Sequence, residues 1–201
     1  SHSDDNGIVL PFKIAPIQIA IIVVNANDKA TNNYVKTLKK TLGDKYRVIV
    51  DDSDKSFGFK INKYQVQGVP FCLVVGAQEI EGNEVTFIRR DSNDKVKVSL
   101  KALTKHLTTT IKEYQTNLYN SANNRLQSSI VEVSNFKEFE NAINNKKIAL
   151  AYFDDTVANE KKLKEQTGAT ARCIKLAGVK NKTCFYTGKP ATHLIYFARA
   201  Y

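Results

Sequence analysis

Between Pro16 and Asn25 the chain reads Ile17-Gln18-Ile19-Ala20-Ile21-Ile22-Val23-Val24, a run too short for a buried helix and apolar enough for a strand covered on both faces. The polar stretch Asn25 to Lys29 leads into a segment whose Tyr34, Val35, Leu38 and Leu42 recur at helical spacing until Gly43 stops it. Tyr46 to Val50 is then a second strand. Strand, helix and strand at this separation form a crossover unit, which favours parallel pairing and a right-handed connection. The fold class is therefore α/β: a mixed sheet flanked by helices, with a smaller α/β unit after it.

Further along, Asp51 to Phe59 reads as a charged loop and Lys60 to Gln65 as a short helical turn. Gly68-Val69-Pro70 breaks the chain before a strand over Phe71 to Val75, since proline can open a strand but not sit inside one. Val85 to Arg89 and Val96 to Val98 are short strands around a turn at Ser92 to Asp94. From Ser99 a long helix carries Leu100, Leu103, Leu107, Ile111, Tyr114 and Leu118 on one stripe. Asn120 to Gln127 is poor in apolar residues, so a boundary is placed there, in a fraying helix end or a linker. A second pattern follows: a helix over Phe136, Phe139 and Ile143 started by Ser134, a strand over Ile148 to Phe153, and a helix from Glu160 to Gln166 ended by Gly168. Strands over Thr170 to Leu176 and His193 to Phe197 complete it. The predicted boundaries are 1–14, a linker, then domains over 15–125 and 126–201.

The 201 residues carry 30 Lys+Arg against 20 Asp+Glu, a net charge of +10, which makes an anionic partner, nucleic acid first, the expectation. The excess is +5 in residues 1–130 and +5 in 131–201, so the positive field is spread and not a tail. No apolar run reaches the ~18 residues of a membrane span, and the start lacks a signal-peptide pattern. Cys72, Cys173 and Cys184 show no paired spacing, which fits a reducing compartment. A cytoplasmic protein without membrane contact is expected. With no methionine anywhere, these residues read as cut from a longer protein.

His2 to Pro11 is similar to the His-x-Asp-Asp-x-Gly-Leu-Val-Leu-Pro-Pro lead-in of prolyl-tRNA synthetases, with Ile8 for the first leucine and Phe12 for the second proline. Ala15-Pro16-Ile17-Gln18, the Gly68-Val69-Pro70 turn, Gly76 and Arg89-Arg90-Asp91 resemble the anticodon-binding module of several class II synthetases. Gly168-Ala169-Thr170-Ala171-Arg172-Cys173-Ile174, Gly188-Lys189-Pro190-Ala191 and the final Phe197-Ala198-Arg199-Ala200-Tyr201 resemble the extra terminal domain of the archaeal and eukaryotic type. The resemblance thus covers an anticodon-binding domain at 15–125 and a C-terminal domain at 126–201, after a linker from a missing catalytic domain. The tail argues against a synthetase for another amino acid.

What the resemblance implies is an aminoacyl-tRNA ligase that esterifies proline to its tRNA. ATP and magnesium would act in the missing catalytic domain, and no cofactor in these residues. The partners implied are tRNA-Pro, the catalytic domain of the same chain and a second copy of the full-length enzyme, whereas the fragment itself is expected to be monomeric and inactive. Lys60, Lys63, Tyr64, Gln65, Gln78, Arg89 and Arg90 are the candidate anticodon-binding residues, because cations hold phosphates while planar groups stack on splayed bases. Relatives carry Trp-Glu where this chain has Tyr64-Gln65, an arginine at Cys72 and a basic residue at Gln78. The glutamate and that arginine are implicated in reading anticodon guanines. An arginine donates two hydrogen bonds to guanine, worth about 1–3 kcal/mol, and a cysteine cannot; relaxed specificity is expected.

Relatives often hold a structural zinc through four cysteines, and the matching positions here are Asp154, Asn159, Cys184 and Thr187. No bound zinc is expected from that set, and a substitute site of Cys173, Cys184 and His193 is disfavoured. In relatives the last tyrosine reaches toward the active site, a position matched by Tyr201. No catalytic residue is assigned: His2, His106 and His193 are scattered, and no phosphate-cradling loop or placed nucleophile is present. The alternative is a non-catalytic tRNA-binding relative of a class II synthetase, motivated by Gln65, Cys72 and the altered zinc positions.

Overall fold

The computed structural model describes residues 3–25 and 28–200. The chain divides into two compact units, Ser1–Asn120 and Ser121–Tyr201, and no helix among the described residues is long and apolar enough to cross a membrane.

The first unit begins with a small hairpin of β1 (Ser3–Asp4) and β2 (Gly7–Ile8). There follow β3 (Ile19–Val23), α1 (Lys29–Leu42), β4 (Val48–Asp51), α2 (Phe57–Val66), β5 (Phe71–Val75), α3 (Ala77–Glu81), β6 (Glu84–Arg89), β7 (Lys95–Ser99) and α4 (Leu100–Ser129). The sheet order is β4-β3-β5-β6-β7. β4 and β5 both pair with β3 in parallel, and β6 and β7 extend the sheet antiparallel. The expected crossover is present, and a second one returns the chain from β4 to β5 on the far side of β3.

Side-chain alternation splits this unit into two apolar layers. Ile19, Ile21, Val23, Leu73, Val85 and Phe87 pack with Val35 and Leu38 of α1 and Leu103, Leu107 and Tyr114 of α4. Ala20, Ile22, Cys72, Val74 and Ile88 face the other way and pack with Tyr64 and Ile61 of α2. Asp28 caps α1 by accepting from the Ala30 and Thr31 amides. α2 begins at Phe57, inside the stretch read as loop, because Ser56 caps it.

Residues 3–14, read as a linker, are packed onto this unit. Phe12 is buried 5.2 Å from the Phe71 ring centroid, and the Tyr114 hydroxyl donates to the Leu10 carbonyl at 3.0 Å. Arg90, with 1% of its side chain exposed, donates to both Asp4 carboxylate oxygens at 2.8 and 2.6 Å, to Gly7 O at 3.1 Å and to Gln65 O at 3.0 Å. Gly7 (φ +120°) lies against the Val66 backbone, and a Cβ on Gly68 (φ +71°) would stand 2.9 Å from Ile8 O. Both positions need glycine for conformation and for space.

α2 is held at its other flank by Asp51 at the end of β4. Its carboxylate accepts from Tyr64 Oη at 2.9 Å, Lys63 Nζ at 3.1 Å and the Ser53 amide and hydroxyl. Burial would raise this carboxyl, but the hydrogen bonds outweigh it and hold the group below the usual carboxylate range.

The second unit adds β8 (Ile130–Glu132), α5 (Phe136–Asn144), β9 (Ile148–Phe153), α6 (Val157–Thr167), β10 (Ala169–Lys175) and β11 (His193–Arg199) in the sheet order β10-β11-β9-β8. Its core is aromatic: Phe139 stacks on Phe185 at 4.7 Å, and Phe197 meets Phe153 and Phe139 edge-on at 5.2 and 5.5 Å. The cap of α5 is Asn135, one residue after the expected Ser134, because Asn135 accepts the Glu138 amide while Glu138 reaches back to Ser134. Gly168 ends α6 in the left-handed region. Asn120 to Gln127 is neither frayed nor a linker: α4 continues through it to Ser129, and the boundary between units falls inside that helix.

Two tests follow from this packing. Gly7→Ala is expected to lower stability by about 2–3 kcal/mol and to open residues 3–10 to limited proteolysis; an unchanged melting temperature and digestion pattern would contradict it. Because Asp51 titrates lower folded than unfolded, its contribution is present above about pH 4 and is lost as pH falls below that. Asp51→Asn is therefore expected to cost about 1–3 kcal/mol at neutral pH, with the gap to the parent closing between about pH 5 and pH 2 in chemical denaturation.

Candidate nucleic-acid interface

The residues singled out from the sequence do not converge on one patch. Lys60 is 2% exposed, and its Nζ donates to Val23 O at 2.8 Å. Tyr64 is buried and bonded to Asp51, and Lys63 is committed to the same carboxylate. Arg90 is saturated as described, and Arg89 pairs with Asp91 at 2.8 Å and Glu113 at 3.3 Å. These cations act as internal fastenings, and the sequence signal that marked them, charge beside a turn, does not distinguish a buried head from a solvated one.

Gln65, Cys72 and Gln78 belong to a different grouping. The Lys63 side chain points to β4, whereas Gln65 Nε2 donates to Asn93 Oδ1 at 2.9 Å in the β6–β7 turn, so the two flanks of α2 face opposite ways. One turn and two turns before Gln65 on its flank lie Ile61 and Phe57, and Phe57 is 41% exposed. Alternation puts Thr86 of β6 and Lys95 and Lys97 of β7 on the sheet face that this flank borders, because Val85, Phe87 and Val98 enter the opposite layer. Thr86 stands opposite Lys97, and Ile88 opposite Lys95. Gln78 is exposed on α3, and Glu79 beside it accepts from Thr86 Oγ1 at 2.8 Å and from the Gly76 amide at 3.0 Å.

The result is a strip of sheet left open beyond α2, walled by Phe57, Ile61 and Gln65 and floored by Thr86, Lys95 and Lys97. It offers an aromatic face, amide groups and two cations, which are the elements used to stack and edge-read unpaired bases on a sheet. Its charge is nearly balanced: Lys97 pairs with Glu84 at 2.8 Å, while Lys95 has no carboxylate partner among the described residues. Cys72 lies under the wall, 4% exposed, and burial pushes its thiol up to about 12. A buried neutral thiol supplies no guanidinium to a guanine edge. Phe57, Lys95 and Lys97 were missed from the sequence, although the alternation Lys95-Val96-Lys97-Val98 carries the signal for two lysines on one face.

In the second unit, Asn159 Nδ2 donates to Asp154 O and Oδ2 at 2.9 and 3.1 Å, and Cys184 Sγ accepts the Thr187 amide at 3.4 Å. One thiol, one carboxylate, an amide and a hydroxyl do not fit a tetrahedral structural zinc. Among the described residues no three of His, Cys, Asp and Glu are grouped to hold a metal; Cys173 is exposed and Cys184 buried. His106 packs edge-on to Phe87 at 4.9 Å, and His193 lies 3.5 Å from the Asp155 carboxylate. His2 and Tyr201 lie outside the described residues.

Comparison with known proteins matches a separate family model within each unit. Residues 18–110 match the family model described as an anticodon binding domain, and residues 136–201 the one described as prolyl-tRNA synthetase, C-terminal. The proline-tRNA ligase of Malacoplasma penetrans is 45% identical over 204 aligned residues, which cover 100% of this chain and 43% of the relative; that of Mesoplasma florum is 36% identical with the same coverage. The prolyl-tRNA synthetase of Cryptosporidium parvum solved with L-proline and AMP superposes with a TM-score of 0.90 at 29% identity, over 100% of this chain and 44% of that one. The chain thus spans less than half the length of the relatives it matches. It belongs to the prolyl-tRNA synthetase family, whose C-terminal anticodon-binding and terminal domains it matches from one end to the other.

Proposed function

We propose that the first unit binds the anticodon region of a proline tRNA on the open strip between α2 and β7. The observation that carries this reading is the strip itself: an exposed aromatic and an amide of α2 beside two lysines on a sheet face, within the residues matched by the anticodon-binding family model. Bases splayed from the loop stack on Phe57, the Gln65 and Gln78 amides meet base edges, and Lys95 and Lys97 hold phosphates. The protein of which this chain forms the C-terminal part is a cytoplasmic, homodimeric proline-tRNA ligase, with ATP and magnesium used in a catalytic part outside these residues. The chain alone docks tRNA and supports that part without catalysing the ligation.

Discrimination between anticodons is weak in this proposal. The guanidinium that relatives place at Cys72 is absent, and a good bidentate pair with guanine is worth about 1–3 kcal/mol.

Binding of this chain to a proline tRNA transcript, and to one with its anticodon guanines replaced by adenines, is the test. A preference of less than about tenfold for the natural anticodon is expected, given that missing pair. Phe57→Ala is expected to weaken binding about five- to a hundredfold through lost stacking, whereas Phe59→Ala, on the other flank of α2, leaves it within about twofold. Equal losses at both positions, or no loss at Phe57, would overturn the assignment of the strip.

A further inference from the structure

A group of cations without ion-pair partners among the described residues lies in the second unit. A cavity of about 780 Å³ is lined by Ser129, Ile143, Asn144, Lys146, Lys147, Ile148, Arg172, Ala198, Arg199 and Ala200. Four of these are cations and none is a carboxylate, and among the described residues none of the four is ion-paired.

These side chains are oriented by the backbone. Arg199 Nε donates to Thr167 O at 2.9 Å and its Nη2 to Asn144 Oδ1 at 3.0 Å. Arg172 Nη2 donates to Ala198 O at 3.2 Å, and Lys147 Nζ to Ser128 O at 2.9 Å. Each guanidinium is thereby fixed through one edge while N–H groups on the other remain for a ligand. Gly168, at φ +70°, leaves the Arg199 side chain room beside it; a Cβ there would stand 3.4 Å from Arg199 Nε. Lys146 sits at φ +57° in the turn between α5 and β9 and is exposed.

Fixed guanidinium forks beside lysines, over a floor of Ile143, Ile148 and Ala198, match a ligand with anionic oxygens and an apolar body. We infer that this cavity binds a phosphodiester segment of RNA, with the phosphate on Arg172 and Arg199 and the sugar or base on the apolar floor. Arginine presents paired donors to phosphate oxygens, and the volume lies within the usual range for a ligand pocket of about 300–1,000 Å³. The inference rests on the tRNA-binding reading but uses a separate surface. It also accounts for affinity that the nearly neutral strip does not supply.

The test compares the parent chain with a Lys146→Asn, Arg172→Gln double variant. Asparagine tolerates the left-handed conformation, and Arg199 is kept because of its structural bonds. The control is Lys161→Gln with Lys162→Gln on α6, the same charge change outside the cavity. Affinity for a proline tRNA transcript is measured at several salt concentrations between about 50 and 200 mM. The cavity variant is expected to bind about tenfold or more weakly at the low end, with the slope of log K against log salt reduced by about two; the control stays within about twofold. As a readout independent of the variants' folding, the Arg172 and Arg199 Nε–H NMR signals of the parent chain are expected to shift on adding a short oligouridine.

Equal losses in both variants, or unshifted guanidinium signals, would overturn the inference. If the parent binds the transcript and Phe57→Ala weakens it while the cavity variant does not, this inference alone fails. If the parent binds no RNA, both readings fall.

Discussion

The buried guanidinium of Arg90 is the constraint on which the first unit turns. It closes on Asp4 and Gly7 of the hairpin and on the Gln65 carbonyl near the end of α2, while its own backbone amide donates to Pro70 O. Three separate sequence motifs, the acidic-glycine lead-in, the Gly-Val-Pro turn and the Arg-Arg-Asp step, are therefore parts of one joint. Removing one partner of a buried pair costs about 3–5 kcal/mol, because the other charge is left without compensation; here Asp4 is 45% exposed on its side chain, which moderates the loss. With this joint at one end and Asp51 at the other, α2 is held across β3 and β5. The helix so placed leaves the β6–β7 face uncovered, and that uncovered face is the one proposed to bind RNA.

The two units hold their cations differently. The first carries an excess of four positive charges and the second of six, and the first spends its buried cations on internal bonds. Its open strip has Lys95 and Lys97 against Glu79 and Glu84. The second unit holds Lys146, Lys147, Arg172 and Arg199 around one cavity with no carboxylate partner among the described residues. Base recognition by stacking and amide edges needs little net charge, while phosphate binding depends on it, so the two proposed sites would each be shaped for one task.

Most of the fold was legible because its elements have strong local signals. The apolar run of β3, the stripe of α4 and the Gly68-Val69-Pro70 break before β5 each have one plausible reading. The hairpin β1–β2, helix α3 and strand β8 were not read, being two to five residues long and defined by tertiary contacts. Of the candidate residues, Gln65 borders the open strip and Gln78 is exposed on α3, while Lys60, Lys63, Tyr64, Arg89 and Arg90 are engaged in internal bonds. The difference is burial by long-range contact: Lys60 reaches a carbonyl 37 residues away and Arg90 a carboxylate 86 residues away, and no local pattern encodes either. Phe57 was lost because Ser56-Phe57-Gly58-Phe59 reads as loop until Ser56 is seen to cap a helix.

The most direct measurement is a map of where proline tRNA touches the first unit, by photocrosslinking a 4-thiouridine-labelled transcript to the chain and sequencing the linked peptides. The account expects links within Phe57 to Gln65 and at Lys95 to Lys97, on the uncovered face. Links concentrated at Lys36, Lys39 or Lys40 of α1, on the opposite face, would contradict it.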